Sequence, residues 1–555
     1  MVNIKEVDLV VVGSGAGGMM AALTAHAENK KVLLIEKSVH YGGSTALSGG
    51  AIWIPNNPTL LRARVRDKQE DVLAYLSSIT HGKIPQKRLQ AFIEAGPHAI
   101  KFLEESCRYF QFQYIEGYPD YHPEVPGGRA EGRSIEALPI DLNLLGENKQ
   151  WMNPSIIPMP PYVWLTIKEY KHLNLSFRSW KGAFFSLKLG CRSIFSMMLR
   201  RQMGSLGQAL VARFRLALQE TGVEIWMSTS LKELIKKNNA VIGALVERKG
   251  ETIRVHSKQG VILACGGFEH NLTMRKQYFS HLSNYWSTGS KNNTGDGIQA
   301  ALRQGAKIEA MDSAWWMPSI QLPSGCIFPL VAERAIPRSL IINGFGVRFA
   351  NEAAPYVNFV HHQLALHQKM GKHIPAFFIM DSVAKRRYLF AGITPLQSFP
   401  KEWFKTKLAF QASSLPELAD QIAVSRDNLV ETVARFNRFA LQGKDEDFKR
   451  GESVYDCYYG DPSLKNSCLD QISQPPYFAI SIVPGDLGTN GGLVCDENSV
   501  VLAQDDSPIQ GLYATGNCSR SVMGDDYAGA GATIGPAIVF GWIAARHACA
   551  RAMAP

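Results

Sequence analysis

Near the N-terminus, apolar residues come in short unbroken runs and do not alternate with polar residues. Residues 7–12 (VDLVVV) and 31–36 (KVLLIE) are two such runs, and unbroken runs of this length are typical of parallel strands that are buried on both faces. A glycine-rich turn and a helix over about 17–27 are predicted between them. The pattern therefore predicts a βαβ unit at the start of the chain.

The rest of the pattern divides the chain into segments of different type. Residues 114–136, rich in Tyr, Pro and Gly, are expected to form an ordered loop, and 315–484 mixes helices and loops without a dinucleotide signature. Helices are predicted over 85–107, most of 160–220 and 532–549, and strands over 223–228, 260–264 and within 500–516, with a hairpin near 240–257.

Residues 13–18 form a G-x-G-x-x-G motif between the first strand and the first helix. In this motif the first glycine makes a tight turn, the second lets a pyrophosphate approach the backbone, and the third lets the helix pack on the strand. Glu36 ends the second strand, where its carboxylate can accept a hydrogen bond from an adenosine ribose. Strand, motif, helix, strand and acid come in the expected order. We therefore predict a dinucleotide site on Gly13, Ser14, Gly15, Ala16, Gly17, Gly18 and Glu36.

A second glycine-rich run, 40–50 (HYGGSTALSGG), follows shortly after Glu36. An NAD domain has no need of such a run, whereas FAD has a ribityl chain and a flavin that must be held further along the chain. We therefore favour FAD; the alternative is a flexible loop. The FAD interpretation adds to the predicted cofactor site Lys37, Gly43, Ser44, Thr45, Ser48, Gly49 and Gly50.

The C-terminal segment 511–517 (GLYATGN) predicts a strand that ends in Gly516 and Asn517. It is similar to the second FAD motif of flavoproteins with two dinucleotide-binding folds. The helix that follows would direct the amides of Thr533 and Ile534 at the flavin, because the positive end of a helix dipole favours the negative charge of reduced flavin. The same helix could be a core helix, and both can be true.

Composition and charge exclude several classes of protein. The chain has 555 residues, of which 46% are apolar and 19% charged, and this excludes a mainly disordered, collagen-like or coiled-coil chain. The net charge of +10 would suit a nucleic-acid-binding protein. However, nine basic residues and no acidic ones lie between Glu169 and Glu220, so nearly all of the excess is local.

Cysteine spacing and hydropathy indicate the cellular compartment of the protein and whether it binds a metal or crosses a membrane. The nine cysteines have no C-x-x-C or metal-finger spacing, so we expect no metal site and a reducing cytoplasm. We expect no signal peptide, because a strand-like run begins at Val7, and no spanning helix, because no apolar run reaches 18 residues.

Seven segments, spread from one end of the chain to the other, carry a resemblance to a known family. They are VVGSGAGG (11–18), EKSVHYGGSTALSGGAIWIPNN (36–57), DYHPEVPGG (120–128), CGGFEHN (265–271), NTGDG (293–297), NEAAPYV (351–357) and GNCSRSVMGDDYAGAGATIGPA (516–537). With them the chain resembles the 3-ketosteroid Δ1-dehydrogenases, relatives of the fumarate reductase and succinate dehydrogenase flavoproteins.

The resemblance implies an α/β fold with a Rossmann-like FAD-binding domain and an inserted α+β catalytic domain. The FAD-binding domain would comprise 1–314, which includes the basic helical segment 160–220, and 485–555. The catalytic domain would comprise 315–484. NTGDG adds Asp296 to the cofactor residues.

The resemblance also implies the chemistry. In this family a base removes a proton from C2 of a 3-ketosteroid, and a hydride passes from C1 to N5 of FAD. Tyr527 and the N–H of Gly531 match the groups that bind the 3-keto oxygen. Tyr356 matches the base, and Tyr121 matches the tyrosine that donates a hydrogen bond to it and lowers its pKa. Tyr118 lies where the family often has an aromatic residue lining the steroid pocket.

Structural alternatives remain for the aromatic residues. Tyr356, which follows a proline, could be a core tyrosine, and Tyr121 could cap a turn. Tyr527 could be structural only, although its small neighbours give it little packing reason. Trp315 and Trp316 could line the pocket or only pack.

Two departures from the wider superfamily bear on how FAD is attached and on the class of substrate. Succinate dehydrogenases carry FAD covalently on a His that precedes a Thr, whereas this chain has Ser44 before Thr45, so we expect non-covalent FAD. Residues 485–492 (GDLGTNGG) lack the His of the dicarboxylate-binding segment of fumarate reductases, so we do not expect a dicarboxylate substrate.

Residues 181–201 predict a basic amphipathic helix. One face of the helical wheel collects Phe184, Leu187, Cys191, Ile194, Phe195 and Met198, bordered by Lys181, Lys188 and Arg192. This pattern is typical of a helix that lies in a membrane interface, where reduced flavin could pass electrons to a quinone or another acceptor on the inner face of the membrane. The alternative is a helix packed on its own protein or on a partner subunit. Nucleic acid is disfavoured, because stacking aromatic residues do not alternate along a basic groove.

The predicted function is flavin-dependent 1,2-dehydrogenation of 3-ketosteroids in steroid degradation. The enzyme alternative is a 3-keto-5α-steroid 4-dehydrogenase, which removes hydrogens at C4 and C5. The alternative of another class is a non-catalytic flavin-binding protein that docks on membranes.

Overall fold

The computed structural model describes residues 3–156, 160–176 and 178–551. The predicted βαβ unit is present as the strand Leu9–Val12, the helix Ala16–Ala27 and the strand Val32–Ile35. Every residue of these two strands is buried, which explains why neither alternates. The run predicted as one strand over 7–12 is interrupted at Asp8, because the preceding strand Asn3–Val7 belongs to another sheet.

A six-stranded sheet forms the centre of the dinucleotide-binding part. Neighbouring strands are parallel except for the first pair, which is antiparallel. The sheet joins the two ends of the chain, and it confirms the predicted Rossmann-like α/β class. Its strand order is Val500–Leu502, Pro508–Ala514, Val261–Leu263, Leu9–Val12, Val32–Ile35 and Glu224–Trp226.

The first helix and the last helix, Ile534–Ala550, pack through glycines. A Cβ placed on Gly17 would lie 2.8 Å from the carbonyl oxygen of Ala537, and one on Gly541 would lie 2.4 Å from the carbonyl oxygen of Gly17. Such distances leave no room for larger side chains. This close packing brings the start of the last helix to the glycine-rich motif.

Two further sheets flank the centre. The predicted hairpin near 240–257 is confirmed as part of a four-stranded sheet in the order Asn3–Val7, Glu251–Ser257, Ala240–Arg248 and Thr229–Lys237. A three-stranded sheet contains Ala51–Trp53, Ser134–Ala137 and Phe112–Tyr114. The segment 114–136, predicted as a loop, therefore begins and ends in strands.

The middle of the chain forms a seven-stranded sheet around the strand Tyr477–Thr489. The boundary predicted between residues 484 and 485 falls inside this strand, and the division into domains stays a prediction. The order is Ile327–Pro329, Ala314–Gln321, Tyr477–Thr489, Ala376–Asp381 and Ser339–Ile342, with Trp286–Ser287 and Ala409–Ala412 also paired to Tyr477–Thr489. Short two-stranded sheets pair Ile308–Glu309 with Gly492–Leu493 and Ile140–Asp141 with Met203–Gly204.

The predicted helices are present. They are Gln86–Ser106, the terminal Ile534–Ala550 and, within 160–220, Ile167–Asn174, Trp180–Met198 and Leu206–Thr221; Phe177, in the same segment, lies outside the described residues. The other α-helices are Gly43–Leu47, Pro58–Arg62, Gln69–Thr80, Leu272–Tyr278, Asp296–Leu302, Tyr356–Met370, Ser382–Arg387, Lys401–Lys405, Leu415–Gln421, Arg426–Gln442 and Val454–Cys457, and 3₁₀ helices cover Leu142–Trp151, Glu333–Ala335 and Gly516–Cys518. Within the described ranges, no helix combines the length and apolar character needed to cross a bilayer.

Candidate active site

The glycines of the N-terminal motif have distinct surroundings. A Cβ on Gly13 would lie 2.4 Å from the carbonyl oxygen of Ala264, and φ at Gly13 is +104°. A Cβ on Gly18 would lie 1.9 Å from the carbonyl oxygen of Gly13. A Cβ on Gly15 would have only the Thr45 Oγ1 within 4 Å, at 3.7 Å. These surroundings fit a turn at the first glycine, helix packing at the third, and room for a phosphate at the second.

Glu36 holds the motif through its carboxylate. It accepts hydrogen bonds from the backbone N–H of Ser14 (3.0 Å), from the Ser14 hydroxyl (2.5 Å) and from the N–H of Ser38 (2.9 Å). The predicted bond to a ribose would be added to these protein contacts, since a carboxylate can accept about four hydrogen bonds.

Lys37 connects the second strand with the segment 293–297. Its ammonium group donates to Asp296 Oδ2 at 2.7 Å and to Thr294 Oγ1 at 2.6 Å. The ion pair joins two predicted cofactor residues that are 259 positions apart. The structure therefore places Lys37 and Asp296 side by side at the edge of the same site.

The second glycine-rich run is ordered. It forms the helix Gly43–Leu47, and Thr45 Oγ1 accepts a hydrogen bond from the N–H of Ala16 at 3.1 Å. Ser44 Oγ accepts from the N–H of Ser290 (2.9 Å) and from the Asn293 amide (3.1 Å). The run is thus fastened to the first helix and to the segment of Asp296.

The C-terminal motif approaches from the opposite end of the chain. Thr533 is the N-cap residue of the last helix, and it lines the cavity together with Ile534, Gly516 and Asn517. Asn517 Oδ1 also accepts a hydrogen bond from the indole of Trp315 at 3.2 Å.

One cavity of about 390 Å³ collects the predicted residues. All predicted cofactor and substrate residues line it except Gly18, which packs the first helix on its strand. The lining members are Gly13, Ser14, Gly15, Ala16, Gly17, Glu36, Lys37, Gly43, Ser44, Thr45, Ser48, Gly49, Gly50, Tyr118, Tyr121, Asp296, Tyr356, Gly516, Asn517, Tyr527, Gly531, Thr533 and Ile534.

Three buried tyrosines meet in this cavity. The hydroxyl of Tyr121 donates to the hydroxyl of Tyr356 at 3.3 Å, and the ring centroids of Tyr121, Tyr356 and Tyr527 lie 5.3–5.4 Å apart. The Tyr527 hydroxyl lies 3.3 Å from the Thr533 hydroxyl, at the start of the last helix. The tyrosine cluster therefore borders the predicted flavin end of the cavity.

Local backbone structure positions these side chains. Tyr356 is the first residue of the helix Tyr356–Met370, and the N–H of Tyr121 donates to the carbonyl oxygen of Ala528 at 3.1 Å. At Gly531, φ is +95°, and a Cβ would lie 2.3 Å from the carbonyl oxygen of Ala51. Only glycine fits at this position, where the backbone itself lines the cavity.

Burial raises the pKa of Tyr356 and Tyr121 well above 10 and also raises that of Tyr527. The hydrogen bond from Tyr121 acts on the pKa of Tyr356 in the predicted, lowering direction, but loss of solvent outweighs it. The hydrogen bond from Tyr121 therefore acts in the direction that the resemblance implies, while the net shift of the Tyr356 pKa in the free protein is upward.

Comparison with known proteins agrees with this geometry. The family described as "FAD binding domain" matches residues 8–534. The 3-oxosteroid 1-dehydrogenase of Mycobacterium tuberculosis (strain ATCC 25618 / H37Rv) is 42% identical over 556 residues, which cover 98% of each chain. The chain belongs to the FAD-dependent 3-oxosteroid 1-dehydrogenase family.

Two other proteins are similar to this chain over nearly its whole length. The crystal structure of 3-ketosteroid Δ1-dehydrogenase from Sterolibacterium denitrificans, in complex with 1,4-androstadiene-3,17-dione, has a TM-score of 0.92 at 37% identity and covers 98% of this chain and 100% of that one. The 4-oxocyclohex-2-ene-1-carboxylate 5-dehydrogenase of Sinomonas cyclohexanicum is 33% identical, over 97% of this chain and 93% of that protein.

Three tyrosines that we did not predict pack on the predicted ones beside the cavity. Tyr455 packs on Tyr121 at 4.6 Å, and Tyr458 packs on Tyr118 at 4.3 Å. Tyr459 lies 5.8 Å from Tyr118 and lines the cavity. The only signal in the sequence was the density of tyrosine in 454–460 (VYDCYYG). The predicted Tyr118 is 2% exposed, and its hydroxyl lies 3.5 Å from that of Tyr121.

Both tryptophans take the packing alternative, because neither is among the described residues that line the cavity. The ring of Trp315 lies edge-on to that of Tyr527, with 5.3 Å between the ring centroids, and its indole N–H donates to Asn517. It therefore packs against two residues that line the cavity. Trp316 packs edge-on to Phe279 at 5.7 Å, inside the apolar core.

Proposed function

We propose that this protein catalyses the 1,2-dehydrogenation of 3-ketosteroids with bound FAD, as part of steroid degradation. The observation that carries the proposal is the meeting of Tyr121, Tyr356, Tyr527 and Gly531 in one cavity with the dinucleotide motif. Membership of the 3-oxosteroid 1-dehydrogenase family supports it.

The residues of the cavity fit FAD. The room at Gly15 suits a pyrophosphate, and the start of the helix Ala16–Ala27 favours an anion there. Thr533 and Ile534, at the start of the last helix, would lie beside the flavin ring. When bound, FAD supplies the acceptor for the hydride that leaves C1.

Tyr527 and Gly531 would hold the 3-keto oxygen. As a proton leaves C2, negative charge develops on this oxygen, and donors already in place stabilise it more in the transition state than in the ground state. Tyr527 is fixed by its contacts with Thr533 and Trp315, and the donor therefore needs no reorganisation during the reaction.

Tyr356 would accept the C2 proton. Because burial raises its pKa, its phenolate is costly in the free protein, and the hydrogen bond from Tyr121 acts against this cost. Tyr121 is then a positioning and activating residue, and Tyr118, whose hydroxyl lies 3.5 Å from that of Tyr121, forms the adjoining wall for the steroid.

The cofactor is proposed to be non-covalent. Ser44 stands where a tethering His would be, and its hydroxyl accepts hydrogen bonds from Ser290 and Asn293. A serine in this setting offers no nucleophile comparable with an imidazole for a bond to the flavin.

The helix Trp180–Met198 supports the proposed membrane contact and an inner-face cytoplasmic location. The face of Phe184, Leu187, Ile194 and Phe195 is 54–65% exposed, so the described part of the protein does not cover it. Arg192, predicted at its border, instead pairs with Glu169 at 2.6 Å and stacks over Trp164. The other basic residues, Lys181, Lys188, Arg200 and Arg201, are exposed.

A membrane position would suit both the apolar substrate and a lipid-soluble electron acceptor. We propose a quinone as that acceptor, since a helix in the interface would bring the flavoprotein close to the quinone pool. The exposed basic and apolar residues at this surface support binding to anionic lipid more than to nucleic acid.

The test is steroid-dependent bleaching of the flavin. The holoenzyme, mixed anaerobically with 4-androstene-3,17-dione, should lose its yellow absorption and form a 1,4-diene. With the saturated steroid 5α-androstane-3,17-dione the product should be a 1-ene, and a 4-ene product would support the 4-dehydrogenase instead. A flavin that no 3-ketosteroid reduces would support a non-catalytic flavoprotein.

A further inference from the structure

Asp526 directly precedes Tyr527, and its side chain is 13% exposed. The carboxylate accepts three hydrogen bonds, from the backbone N–H of Tyr527 at 2.7 Å, from the ring Nε2 of His122 at 2.9 Å and from the amide of Asn358 at 3.2 Å. Because an ionised carboxylate only accepts, Nε2 of His122 carries the hydrogen. One side chain thus joins three segments of the chain, two of them 404 and 168 positions away from it.

Each of these three segments carries one of the proposed functional tyrosines. His122 follows Tyr121 in the sequence. Asn358 is two residues after Tyr356, in the first turn of the helix that Tyr356 begins. The third bond comes from the backbone of Tyr527 itself. The position of the carboxylate is therefore linked to the positions of all three tyrosines.

The three side chains act from outside the cavity. Asp526, His122 and Asn358 are not among the described residues that line it. Burial acts to raise the pKa of Asp526, but the hydrogen bond and charge of His122 and the bonds from Tyr527 and Asn358 hold that pKa below its ordinary value. The carboxylate is ionised at neutral pH, and hydrogen bonds to an ionised group are shorter and stronger than neutral ones.

Neighbouring hydrogen bonds join these segments only in pairs. The carbonyl oxygen of Ala528 accepts from the N–H of Tyr121 at 3.1 Å and from the hydroxyl of Tyr75 at 2.6 Å. The ring of His361 lies 3.2 Å from the carbonyl oxygen of Asp525. The first contact holds the segment of Tyr121 to the C-terminal loop, and the last holds the helix of Tyr356 to the same loop. The Asp526 carboxylate ties both to one point.

We propose that Asp526 is a positioning residue for the dehydrogenation, which aligns the base Tyr356 with the carbonyl-binding Tyr527 through its bonds to His122 and Asn358. The inference rests on the proposed function. In that function the two tyrosines act in the same step, one on the C2 proton and the other on the 3-keto oxygen. Their relative position decides how well proton removal coincides with stabilisation of the oxyanion. A displacement of about 1 Å can cost about 10²-fold in rate.

The first measurement is anaerobic stopped-flow reduction of the flavin by 4-androstene-3,17-dione in the Asp526→Ala holoenzyme. The rate at saturating steroid should fall by about tenfold to a hundredfold. The steroid concentration at half-saturation should change by less than about threefold, because the alignment matters in the transition state more than in the bound ground state.

His122 offers a test by conservative rescue. His122→Ala removes one of the three donors and should slow flavin reduction in the same direction as Asp526→Ala. His122→Gln retains an N–H donor at the end of a side chain of similar reach, and it should restore most of the rate. A residue needed only to fill space would not distinguish the two replacements in this way.

Asp525→Ala is the matched control. This neighbouring carboxylate forms ion pairs with Lys83 and Arg520, each at 2.9 Å, and neither partner is next to one of the three tyrosines in the sequence. Its loss removes two ion pairs from the same loop, so the free energy of unfolding in urea should fall. Flavin reduction should stay near the wild-type rate.

A double variant tests whether Asp526 acts through the base. In Asp526→Ala with Tyr356→Phe, the loss in rate should be smaller than the product of the two single losses, because alignment of a missing hydroxyl has no value. Losses that multiply would overturn the inference. A wild-type rate in Asp526→Ala, or an equal loss in Asp525→Ala, would overturn it too.

Retention of FAD by each variant is checked from its absorption spectrum. If Asp526→Ala does not retain the flavin, the two His122 variants decide, because equal rates in His122→Ala and His122→Gln would overturn the inference. A wild-type flavin that the steroid does not reduce would instead overturn the proposed function.

Discussion

The hydroxyl of Tyr121 donates a 3.3 Å hydrogen bond to the hydroxyl of Tyr356, although 235 positions separate the two residues. Both are buried, and the N–H of Tyr121 is itself bonded to Ala528, next to Tyr527. The contact therefore fixes the proposed base, its donor and the carbonyl-binding tyrosine relative to one another. Any mechanism for this site must explain how a phenol buried in this way becomes a base.

The first prediction concerns this contact. Tyr356→Phe removes the proton acceptor and should slow flavin reduction by about 10²–10⁴. Tyr121→Phe removes a donor to the forming phenolate and should cost about tenfold to a hundredfold, as hydrogen bonds to charged groups do. Stopped-flow bleaching with a 3-ketosteroid measures both.

Tyr458→Phe is the matched control for these two variants. Its ring packs in the same cluster, but its buried hydroxyl has no hydrogen-bond partner among the described residues, so its loss should leave the rate nearly unchanged. If C2 hydrogen still exchanges with D₂O in Tyr356→Phe while bleaching stops, another residue takes the proton.

The second prediction concerns the carbonyl. Tyr527→Phe should slow flavin reduction by about 10²–10³, since the lost donor acts chiefly on the developing oxyanion. Steroid affinity should change far less. The variant should retain FAD, because Tyr527 is not part of the phosphate motif. An equal loss in affinity and in rate would show that Tyr527 binds the ground state as strongly as the transition state.

The fold and the cofactor site followed from local patterns, whereas the wall of the substrate site did not. Residues 13–18 and Glu36 have a fixed spacing within one βαβ unit, so their chemistry can be deduced from the sequence alone. Tyr121, Tyr356 and Tyr527 were predicted only through family resemblance. Their meeting depends on tertiary contacts between distant segments, for which no periodicity exists.

The same limit explains what was missed. Tyr459 lies in a segment without a motif, so no spacing in the sequence indicates that it lines the cavity. Arg192 was placed on the membrane-facing border by the helical wheel, but its partner Glu169 is on the preceding helix. A wheel describes one helix and cannot show which of its residues another helix holds.

The third prediction is a loss of stability at alkaline pH. Burial raises the pKa of Tyr356 in the folded protein, while the unfolded chain has a tyrosine pKa of about 10. Above that pH the unfolded state releases the proton and the folded state keeps it, so the free energy of unfolding falls as pH rises, by up to about 1.4 kcal/mol per pH unit for each such tyrosine.

Urea unfolding of the wild type and of Tyr356→Phe at pH 9 and pH 10.5 measures this loss. The variant should lose less stability over the interval than the wild type. Tyr162→Phe, outside the cluster, serves as the control for removal of a tyrosine hydroxyl. Equal losses in all three proteins would show that Tyr356 titrates normally.

The fourth prediction is that FAD dissociates on denaturation. Because Ser44 replaces the tethering His, acid precipitation of the yellow protein should leave the colour in the supernatant after centrifugation. Colour that remains with the pellet, and fluorescence that remains with the band on a denaturing gel, would contradict non-covalent binding.

The fifth prediction concerns the exposed helix Trp180–Met198. The wild type should float with anionic vesicles, since each basic residue near such a surface contributes about 1 kcal/mol. Replacement of Lys181, Lys188, Arg200 and Arg201 by Ser should reduce binding sharply. Arg192 is left in place, because it holds Glu169 and its loss would disturb the fold.

A matched variant separates position from net charge. The control variant replaces four lysines that are exposed elsewhere on the surface, Lys236, Lys237, Lys405 and Lys407. It removes the same amount of positive charge and should leave flotation unchanged. Phe184→Ser with Leu187→Ser should weaken binding also at high salt, because burial of apolar area in the interface is not screened. Two outcomes would contradict membrane binding: flotation that persists after Lys181, Lys188, Arg200 and Arg201 are replaced, and absence of flotation in the wild type. Either would mean that the exposed apolar face of this helix binds a protein, because so large an exposed apolar surface needs a partner.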